Sequence, residues 1–229
     1  MKIVISYLRT EAYNHWFLFG RLQFDTVNDI PKDYFSNFKT IYGRVIRIID
    51  GDTIRVRHCT SRFFGTRRFD PNAKRIYDST LSIRIYGVDC PELQKRKSDP
   101  MSQPFAQEAT DFTSKLAMGK LVRIKLLRKD QYGRAIAKVE TGRKVMTIPP
   151  LSRKDLSIEL MKRGLATLYT GGGAEYDGNR DLLESIQTKA QRKKRGVWSL
   201  GDSMISPADF KRRQKQTGSE VFPVATHVK

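Results

Sequence analysis

Hydrophobic and polar residues alternate along the middle of the chain, which is the pattern expected of strands with one buried face. The first two such stretches, residues 42–50 and 53–58, are separated by only two residues. The same alternation occurs again at residues 81–85, 121–127 and 135–139. The pattern therefore predicts five strands, and a shorter apolar stretch precedes a glycine-rich loop near residue 171.

Three other segments have apolar residues at helical spacing. They are residues 102–118, 155–163 and 179–195. Ser102 is predicted to cap the first helix and Gly119 to end it. Strands with helices set between and after them predict an α+β fold. We expect an OB-fold, a five-stranded Greek-key barrel with about three helices, whose open face commonly binds nucleic acid.

The chain has 229 residues, a length that favours one domain over two. Residues 1–39 lack sustained periodicity and are predicted to form an N-terminal arm. The domain is predicted to span residues 40–202, with a basic insertion at residues 58–80. The composition then becomes polar and basic, so we expect residues 203–229 to be a basic, disordered tail.

The chain is strongly basic, since 43 Lys and Arg against 24 Asp and Glu give a formal net charge of +19. Such an excess indicates a polyanionic partner, most often nucleic acid and less often an anionic membrane surface. A role in solubility is the alternative. The apolar patches at residues 3–8 and 16–19 are far shorter than the ~20 residues that cross a bilayer, and neither resembles a signal peptide. We expect a soluble protein, at most peripherally associated with a membrane.

The cysteine and histidine content restricts the candidate chemistry. Cys59 and Cys90 form no CxxC pair, so neither a disulfide framework nor a thiolate zinc site is indicated, and a reducing, intracellular setting fits best. The histidines are scattered along the chain. Any metal is therefore expected to be a hard cation held by oxygen atoms.

The sequence "DGD" between the first two strands allows two interpretations. Asp50 and Gly51 form a good two-residue hairpin turn, which is the more common meaning of such a sequence taken alone. Asp50 and Asp52 could instead belong to a metal site. Two further clusters favour the metal site: Arg84, Asp89 and Glu92 in "RIYGVDCPE", and Tyr132 and Arg134 in "DQYGR".

Metal-assisted hydrolysis of a phosphodiester bond needs three kinds of group. Two carboxylates hold a hard cation that neutralises a phosphate oxygen. A third carboxylate orients or deprotonates the attacking water. Guanidinium groups stabilise the charge that gathers on the phosphorus. The residues that match this set are Asp52, Asp89, Glu92, Arg84 and Arg134.

The order of the motifs resembles the staphylococcal nuclease (thermonuclease) family over roughly residues 42–200. "DGDT" is followed by "IRIYGVDCPE", a helix, "DQYGR", "ELMKRGLA" and a helix ending in "KKRGVW". Within the family, the sequence is most similar to the probable mitochondrial endonucleases of fungi, which also carry an insertion after the DGD strand. The resemblance implies an OB-fold endonuclease that uses Ca²⁺, cleaves DNA and RNA with little sequence preference, and is compatible with a mitochondrial location.

The resemblance also implies a set of metal ligands. Asp52 and Asp89 would bind the Ca²⁺ ion through their carboxylates. The backbone carbonyl of Cys90 would complete the protein's share of the ligands. Asp50 would lie behind the ligands or within the turn.

Further roles follow from the same resemblance. Arg84 and Arg134 would bind the scissile phosphate, and Glu92 would act on the attacking water. The sequence departs from the family's bacterial enzyme before Tyr132, where Gln131 stands in place of a lysine. This departure makes the contacts to the substrate less well defined than the catalytic ones.

The predicted substrate contacts lie on aromatic and basic residues. Tyr132 would lie beside the substrate, while Tyr169 and Tyr176 are near the positions where the family's bacterial enzyme has base-stacking tyrosines. Arg67 and Arg68 in the insertion are predicted to contact nucleic acid. No protein partner is evident. A catalytically silent OB-fold binding module is the alternative to an enzyme, but silent copies usually lose acids or arginines that are all present here.

We predict that shortening the insertion at residues 58–80 weakens nucleic-acid binding and flattens its dependence on salt. Its basic residues outnumber its acidic ones, and Phe63, Phe64 and Phe69 can stack on bases. The measurement is oligonucleotide affinity at several salt concentrations, compared with that of the full chain. Unchanged affinity and an unchanged salt slope would show that the insertion does not contact the substrate.

Overall fold

The computed structural model describes residues 23–60, 76–94, 102–142 and 153–219. Eight strands lie in these segments and include the five predicted from alternation. They are β1 (Thr40–Asp50), β2 (Thr53–Cys59), β3 (Leu81–Ile85), β4 (Val88–Asp89), β5 (Leu121–Lys129), β6 (Ala135–Thr141), β7 (Lys154–Asp155) and β8 (Thr167–Leu168).

Six of the strands form one sheet, in the order β3-β2-β1-β5-β6-β7. A parallel pairing between β3 and β6 closes the first five of them into a ring, and β7 extends the sheet from β6. The other pairings of this sheet are antiparallel. β4 and β8 form a separate two-stranded ladder. This arrangement confirms the predicted α+β class and OB-type barrel.

The two faces of the strands differ as the alternation predicts. Val45 pairs with Val56 across β1 and β2, and Ile54 of β2 pairs with Ile83 of β3. All four residues are almost fully buried inside the barrel. The register shifts twice along β1, and such bulges bend and twist a strand as it approaches its end.

Five α-helices of the described chain pack around the barrel. They are α1 (Lys32–Ser36), α2 (Ala106–Ala117), α3 (Leu156–Arg163), α4 (Arg180–Arg192) and α5 (Pro207–Ser219). The helices α2, α3 and α4 correspond to the three predicted from sequence. None of the helices in the described ranges is long and apolar enough to cross a membrane.

The prediction that Ser102 caps the first long helix is wrong. α2 begins four residues later, after Phe105, which has a φ of 68°. Pro104 disfavours helical backbone at Gln103. Gln103 instead makes backbone and side-chain hydrogen bonds with Glu92, so this segment holds the loop that follows β4.

The tail expected to be disordered is helical over Pro207–Ser219, so the prediction of disorder is wrong there. The Ser206 hydroxyl accepts a hydrogen bond from the Asp209 amide at 3.1 Å, which caps the helix start. Phe210 lines an apolar cavity against the domain. The polar and basic composition of this segment does not predict the helix, because it contains only one large apolar residue, Phe210. The domain boundaries at residues 40 and 202 stay predictions.

The insertion begins later than predicted, because β2 continues through His58 and Cys59. Residues 61–75 lie outside the described residues. A 3₁₀ turn, Ile76–Ser79, leads back into β3. In the described part of the N-terminal arm, Phe24, Val27 and Ile30 are buried with the core.

His58 links the arm to the barrel. Its ring stacks on that of Phe24 at a centroid distance of 4.8 Å, and its Nδ1 accepts a hydrogen bond from the Phe24 amide at 3.1 Å. Burial lowers the pKa of His58 to about 4, so the ring is neutral at pH 7.

We predict that His58 makes the fold sensitive to mild acid. The unfolded chain binds a proton at His58 near the usual pKa of ~6.5, whereas the folded chain resists it down to about 4. Stability from this residue is therefore complete above ~6.5 and is lost as the pH falls to about 4, on the order of 3 kcal/mol in all. Urea unfolding across this range should show a shallower pH dependence for His58→Leu than for the unmodified chain. Equal slopes would contradict the prediction.

Candidate active site

The acidic residues of "DGD" and "VDCPE" meet at one end of the barrel. Asp52 follows β1 in the turn that enters β2, and Asp89 ends β4. Thr53 on β2 pairs with Arg84 on β3, which places the Arg84 guanidinium beside this turn. The sheet register therefore brings Asp52 together with Arg84 and Asp89, which lie 32 and 37 positions later in the sequence.

Arg84 bridges the two aspartates. Its guanidinium donates hydrogen bonds to Asp52 Oδ1, to Asp89 Oδ1 at 2.6 Å and to the carbonyl of Val88 at 3.2 Å. The Arg84 side chain is only 13% exposed. Burial by itself would lower the pKa of Arg84, but Asp52 and Asp89 outweigh it and raise that pKa above its usual value. Arg84 is therefore a permanent cation between two buried carboxylates.

Asp52 is the most deeply held carboxylate of the cluster. Its Oδ2 accepts a hydrogen bond from the Cys90 amide at 2.8 Å, and its Oδ1 accepts one from the Thr53 hydroxyl at 3.0 Å. Burial raises the pKa of Asp52 to about 7; Arg84 works in the opposite direction, while Asp50 and Asp89 add to the rise. The cluster thus contains more negative charge than Arg84 alone neutralises.

Gly51 lets the turn approach α2 and β4 closely. A Cβ atom at Gly51 would lie 2.7 Å from Cys90 Sγ and 2.8 Å from Ala109 Cβ, which is too close for any side chain. The Thr113 hydroxyl on α2 donates to the Gly51 carbonyl at 2.7 Å. The turn is both a hairpin connection and a packed support for Asp52, so the two interpretations of "DGD" are not exclusive.

Glu92 lies at the exposed edge of the cluster. Its amide donates to Gln103 Oε1 at 2.8 Å, and its carbonyl accepts from the Gln103 amide at 2.9 Å. Its carboxylate pairs with Lys211 of α5, whose Nζ lies 2.8 Å from Glu92 Oε1 and 3.2 Å from Asp89 Oδ1. Burial would lower the pKa of Lys211, but Asp89 and Glu92 outweigh it and raise the pKa above its usual value.

The sequence patterns do not indicate Gln103 and Lys211 as residues of the site. They predict Gln103 in the first turn of a helix and Lys211 in a disordered segment. Neither belongs to a motif, and Lys211 is more than one hundred positions from Glu92. A local sequence pattern carries no signal for such a contact.

Arg134 lies in the turn between β5 and β6 rather than in the acid cluster. Its Nε pairs with Asp130 Oδ2 at 2.7 Å, and Asp130 Oδ1 accepts from the amides of Tyr132 and Arg134. The Arg134 guanidinium lies 5.4 Å from the centre of the Tyr132 ring, and Tyr132 is 73% exposed. The turn is therefore ordered by Asp130 and presents an aromatic ring to solvent.

The two tyrosines after β8 have different surroundings. The ring of Tyr169 lies 5.8 Å from the Arg84 guanidinium, so it borders the site. Tyr176 packs against the core, and its hydroxyl donates to the Tyr169 carbonyl at 2.5 Å. Tyr176 thus supports Tyr169 from behind. Arg67 and Arg68 lie outside the described residues.

The donor set suits a hard cation. Asp52 and Asp89 offer carboxylate oxygens that converge on one guanidinium, and Asp50 adds negative charge beside Asp52. Glu92 adds a further carboxylate, which shares Lys211 with Asp89. Among the residues that the structure describes, no three His, Cys, Asp or Glu side chains converge as a ready-made metal centre. Burial raises the pKa of the Cys90 thiol well above its usual value, so the thiol is neutral and a poor ligand.

The fold and the motif order define the class of protein, an OB-fold nuclease. Residues 82–200 match the family described as staphylococcal nuclease homologue. "Endonuclease Htp3" of Saprolegnia parasitica is 38% identical over 192 residues, which cover 84% of this chain and 85% of that protein. "Probable endonuclease LCL3" is 35% identical in Scheffersomyces stipitis (82% and 78% covered) and 31% identical in Clavispora lusitaniae (86% and 84% covered).

The chain belongs to the staphylococcal nuclease homologue family. This confirms the resemblance drawn from the motifs and the predicted enzyme class, a hydrolase of phosphodiester bonds. Membership implies a nucleic-acid substrate.

Proposed function

We propose that the protein is a Ca²⁺-dependent endonuclease that cleaves DNA and RNA with little sequence specificity. The observation that carries this proposal is the buried pair of Asp52 and Asp89 bridged by Arg84, with Glu92 at its exposed edge. Two acids, a guanidinium and a further carboxylate within one cluster are the groups that phosphodiester hydrolysis requires.

Asp52, Asp89 and the backbone carbonyl of Cys90 would hold the cation, with Asp50 adding negative charge behind them. When bound, the ion supplies positive charge that neutralises a phosphate oxygen. Ca²⁺ accepts a less regular set of oxygen ligands than the strictly octahedral Mg²⁺, so these carboxylates and a backbone carbonyl favour Ca²⁺. Burial, and to a smaller extent Asp50 and Asp89, raise the pKa of Asp52, and a bound ion would favour the charged form of this carboxylate.

The chain's own residues would divide the remaining work. Arg84 has further N–H groups beyond those it donates to the aspartates, and a guanidinium can stabilise the dianionic charge that develops on phosphorus. Glu92 would orient the attacking water and accept its proton. Arg134 would contribute a second guanidinium from the turn ordered by Asp130, with Tyr132 and Tyr169 bordering the nucleotide.

The charge of the chain supports a polyanionic substrate. A net charge of +19 favours contact with phosphates regardless of base sequence. The relatives above are named "Endonuclease" and "Probable endonuclease", which supports internal cleavage of a strand. A mitochondrial location stays a prediction from the resemblance to fungal endonucleases.

We predict that Glu92→Gln separates binding from cleavage. The change keeps the size of the side chain but removes its basicity, so the turnover should fall by on the order of 10²–10⁴ while oligonucleotide affinity is kept. The control is Glu108→Gln, because Glu108 is exposed on α2. Cleavage and binding are measured on one oligonucleotide with Ca²⁺, with Mg²⁺ and with excess chelator.

Each arm of this experiment bears on a different assignment. Undiminished cleavage in excess chelator would exclude the metal. Equal cleavage by Glu92→Gln and the unmodified chain would exclude the role of Glu92. A protein that binds the oligonucleotide but does not cleave it, whichever cation is supplied, would be the catalytically silent OB-fold module.

A further inference from the structure

The helix α5 delivers a lysine to the acid cluster. Lys211 Nζ contacts Glu92 Oε1 at 2.8 Å and Asp89 Oδ1 at 3.2 Å. These are the carboxylates proposed to act on water and to hold the cation. One ammonium group therefore engages two functions of the proposed site at once.

A lysine and a divalent cation compete for this position. Both are attracted by the same carboxylate oxygens, and like charges a few ångströms apart repel each other strongly near a protein surface. While Lys211 is hydrogen-bonded to Glu92, one oxygen of that carboxylate is also less available to a water molecule. The docked helix thus opposes both cation binding and general-base action.

We propose that Lys211 is an internal competitor of the divalent cation and that α5 must withdraw it before the site becomes active. The proposal rests on the metal assignment under the proposed function. It makes the C-terminal helix an autoinhibitory element of this nuclease.

The docking of α5 is suited to release. Phe210 is its one large apolar side chain, and it lines a cavity together with Pro91, Leu200 and Met204. Gln103 Nε2 donates to the Ile205 carbonyl at 3.2 Å just before the helix. Such a short, polar helix depends on its contacts for stability. Its basic residues Lys211, Arg212 and Arg213 would also be attracted by nucleic-acid phosphates.

The test is divalent-cation binding by the full chain without nucleic acid. Lys211→Gln should bind Ca²⁺ roughly tenfold more tightly in calorimetric titration, because the ion no longer displaces a charge-assisted hydrogen bond. Phe210→Ala, which loosens the helix anchor, should change the affinity in the same direction. Arg212→Gln is the matched control, since Arg212 pairs with Asp209 on the solvent side of the same helix.

Ca²⁺ binding by Lys211→Gln that is equal to or weaker than that of the unmodified chain overturns the proposal. Lys211 would then have no effect on cation binding or would support it. Binding by neither protein overturns this proposal together with the metal assignment. In cleavage assays, Lys211→Gln should shift the Ca²⁺ dependence to lower concentrations. A chain that binds Ca²⁺ but never cleaves leaves the competition intact while the proposed nuclease function fails.

A second inference comes from the outer face of β1 and β2. The ring of Tyr77 is 51% exposed and lies 4.4 Å from the Arg55 guanidinium, which also donates to the Tyr77 carbonyl at 3.1 Å. Arg47 Nη1 donates to the Tyr77 hydroxyl at 3.4 Å. Two arginines from neighbouring strands thus fix the orientation of one exposed aromatic ring.

This group lies next to the acid cluster on the same face of the sheet. Thr53 pairs with Arg84, and two residues further along β2 Arg55 pairs with Ser82 and with Arg47. Two residues of a strand span ~6.6 Å, and the two strand spacings from β1 to β3 add ~9.6 Å across the sheet. The backbone of Arg47 therefore lies roughly 12 Å from that of Arg84 on the same face, a distance that a short single strand of nucleic acid can span.

We infer that Tyr77 and Arg47 form a subsite for single-stranded nucleic acid beside the scissile phosphate. The ring of Tyr77 would stack on a base, and the exposed Arg47 guanidinium would contact a phosphate. The inference deepens the proposed function, since it assigns a path for the substrate.

The test measures oligonucleotide affinity by fluorescence anisotropy in a Glu92→Gln background. Tyr77→Ala should weaken binding on the order of tenfold, whereas Tyr77→Phe should keep most of the affinity because the ring remains. Phe38→Ala is the control, because Phe38 is equally exposed at the opposite end of β1. Unchanged affinity for Tyr77→Ala, or an equal loss for Phe38→Ala, overturns the inference. If the chain with Glu92 intact binds the oligonucleotide but never cleaves it, the subsite stands while the nuclease function fails.

Discussion

The candidate site depends on one buried guanidinium. Asp52 and Asp89 lie close enough to repel each other, and both are removed from solvent. Arg84 contacts both carboxylates and compensates part of this cost. Removing one partner from such an arrangement leaves an unpaired buried charge, which typically costs about 3–5 kcal/mol. Arg84 therefore helps to fix the positions of the two carboxylates.

The barrel explains why Arg84 can hold this position. It lies on β3, which pairs with β2 on one side and closes the ring against β6 on the other. The strand is thus fixed along both edges. α2 supports the opposite side of the site, where Thr113 bonds the Gly51 carbonyl and Ala109 leaves room only for a glycine. The acids converge because rigid elements meet at one end of the barrel.

Short motifs in the sequence name several residues that the structure brings together at this candidate site. The strand alternation placed Arg84 on an outward-facing position, and the motif order indicated Asp52, Asp89 and Glu92. It misplaced the start of α2, because a proline and a left-handed Phe105 override the helical spacing.

The contacts that join distant segments were not predictable from local patterns. Gln103 and Lys211 reach the loop of Glu92 from a pre-helix turn and from the C-terminal helix. The composition of the tail is typical of a disordered segment. Its helix is anchored by Phe210, which packs in an apolar cavity of the domain. Such contacts depend on the folded surface that the rest of the chain creates.

The two cations at the acid cluster differ in how firmly the fold holds them. Arg84 is 13% exposed and is part of a central strand, and its departure would leave the buried carboxylates of Asp52 and Asp89 without their shared cation. Lys211 is 41% exposed and lies on a polar terminal helix with few anchors. Both stabilise the same negative charge, but only Lys211 can give way to another cation at small cost to the fold. The chain therefore combines a permanent positive charge, Arg84, that positions the acids with a replaceable one, Lys211, at the exposed edge of the cluster.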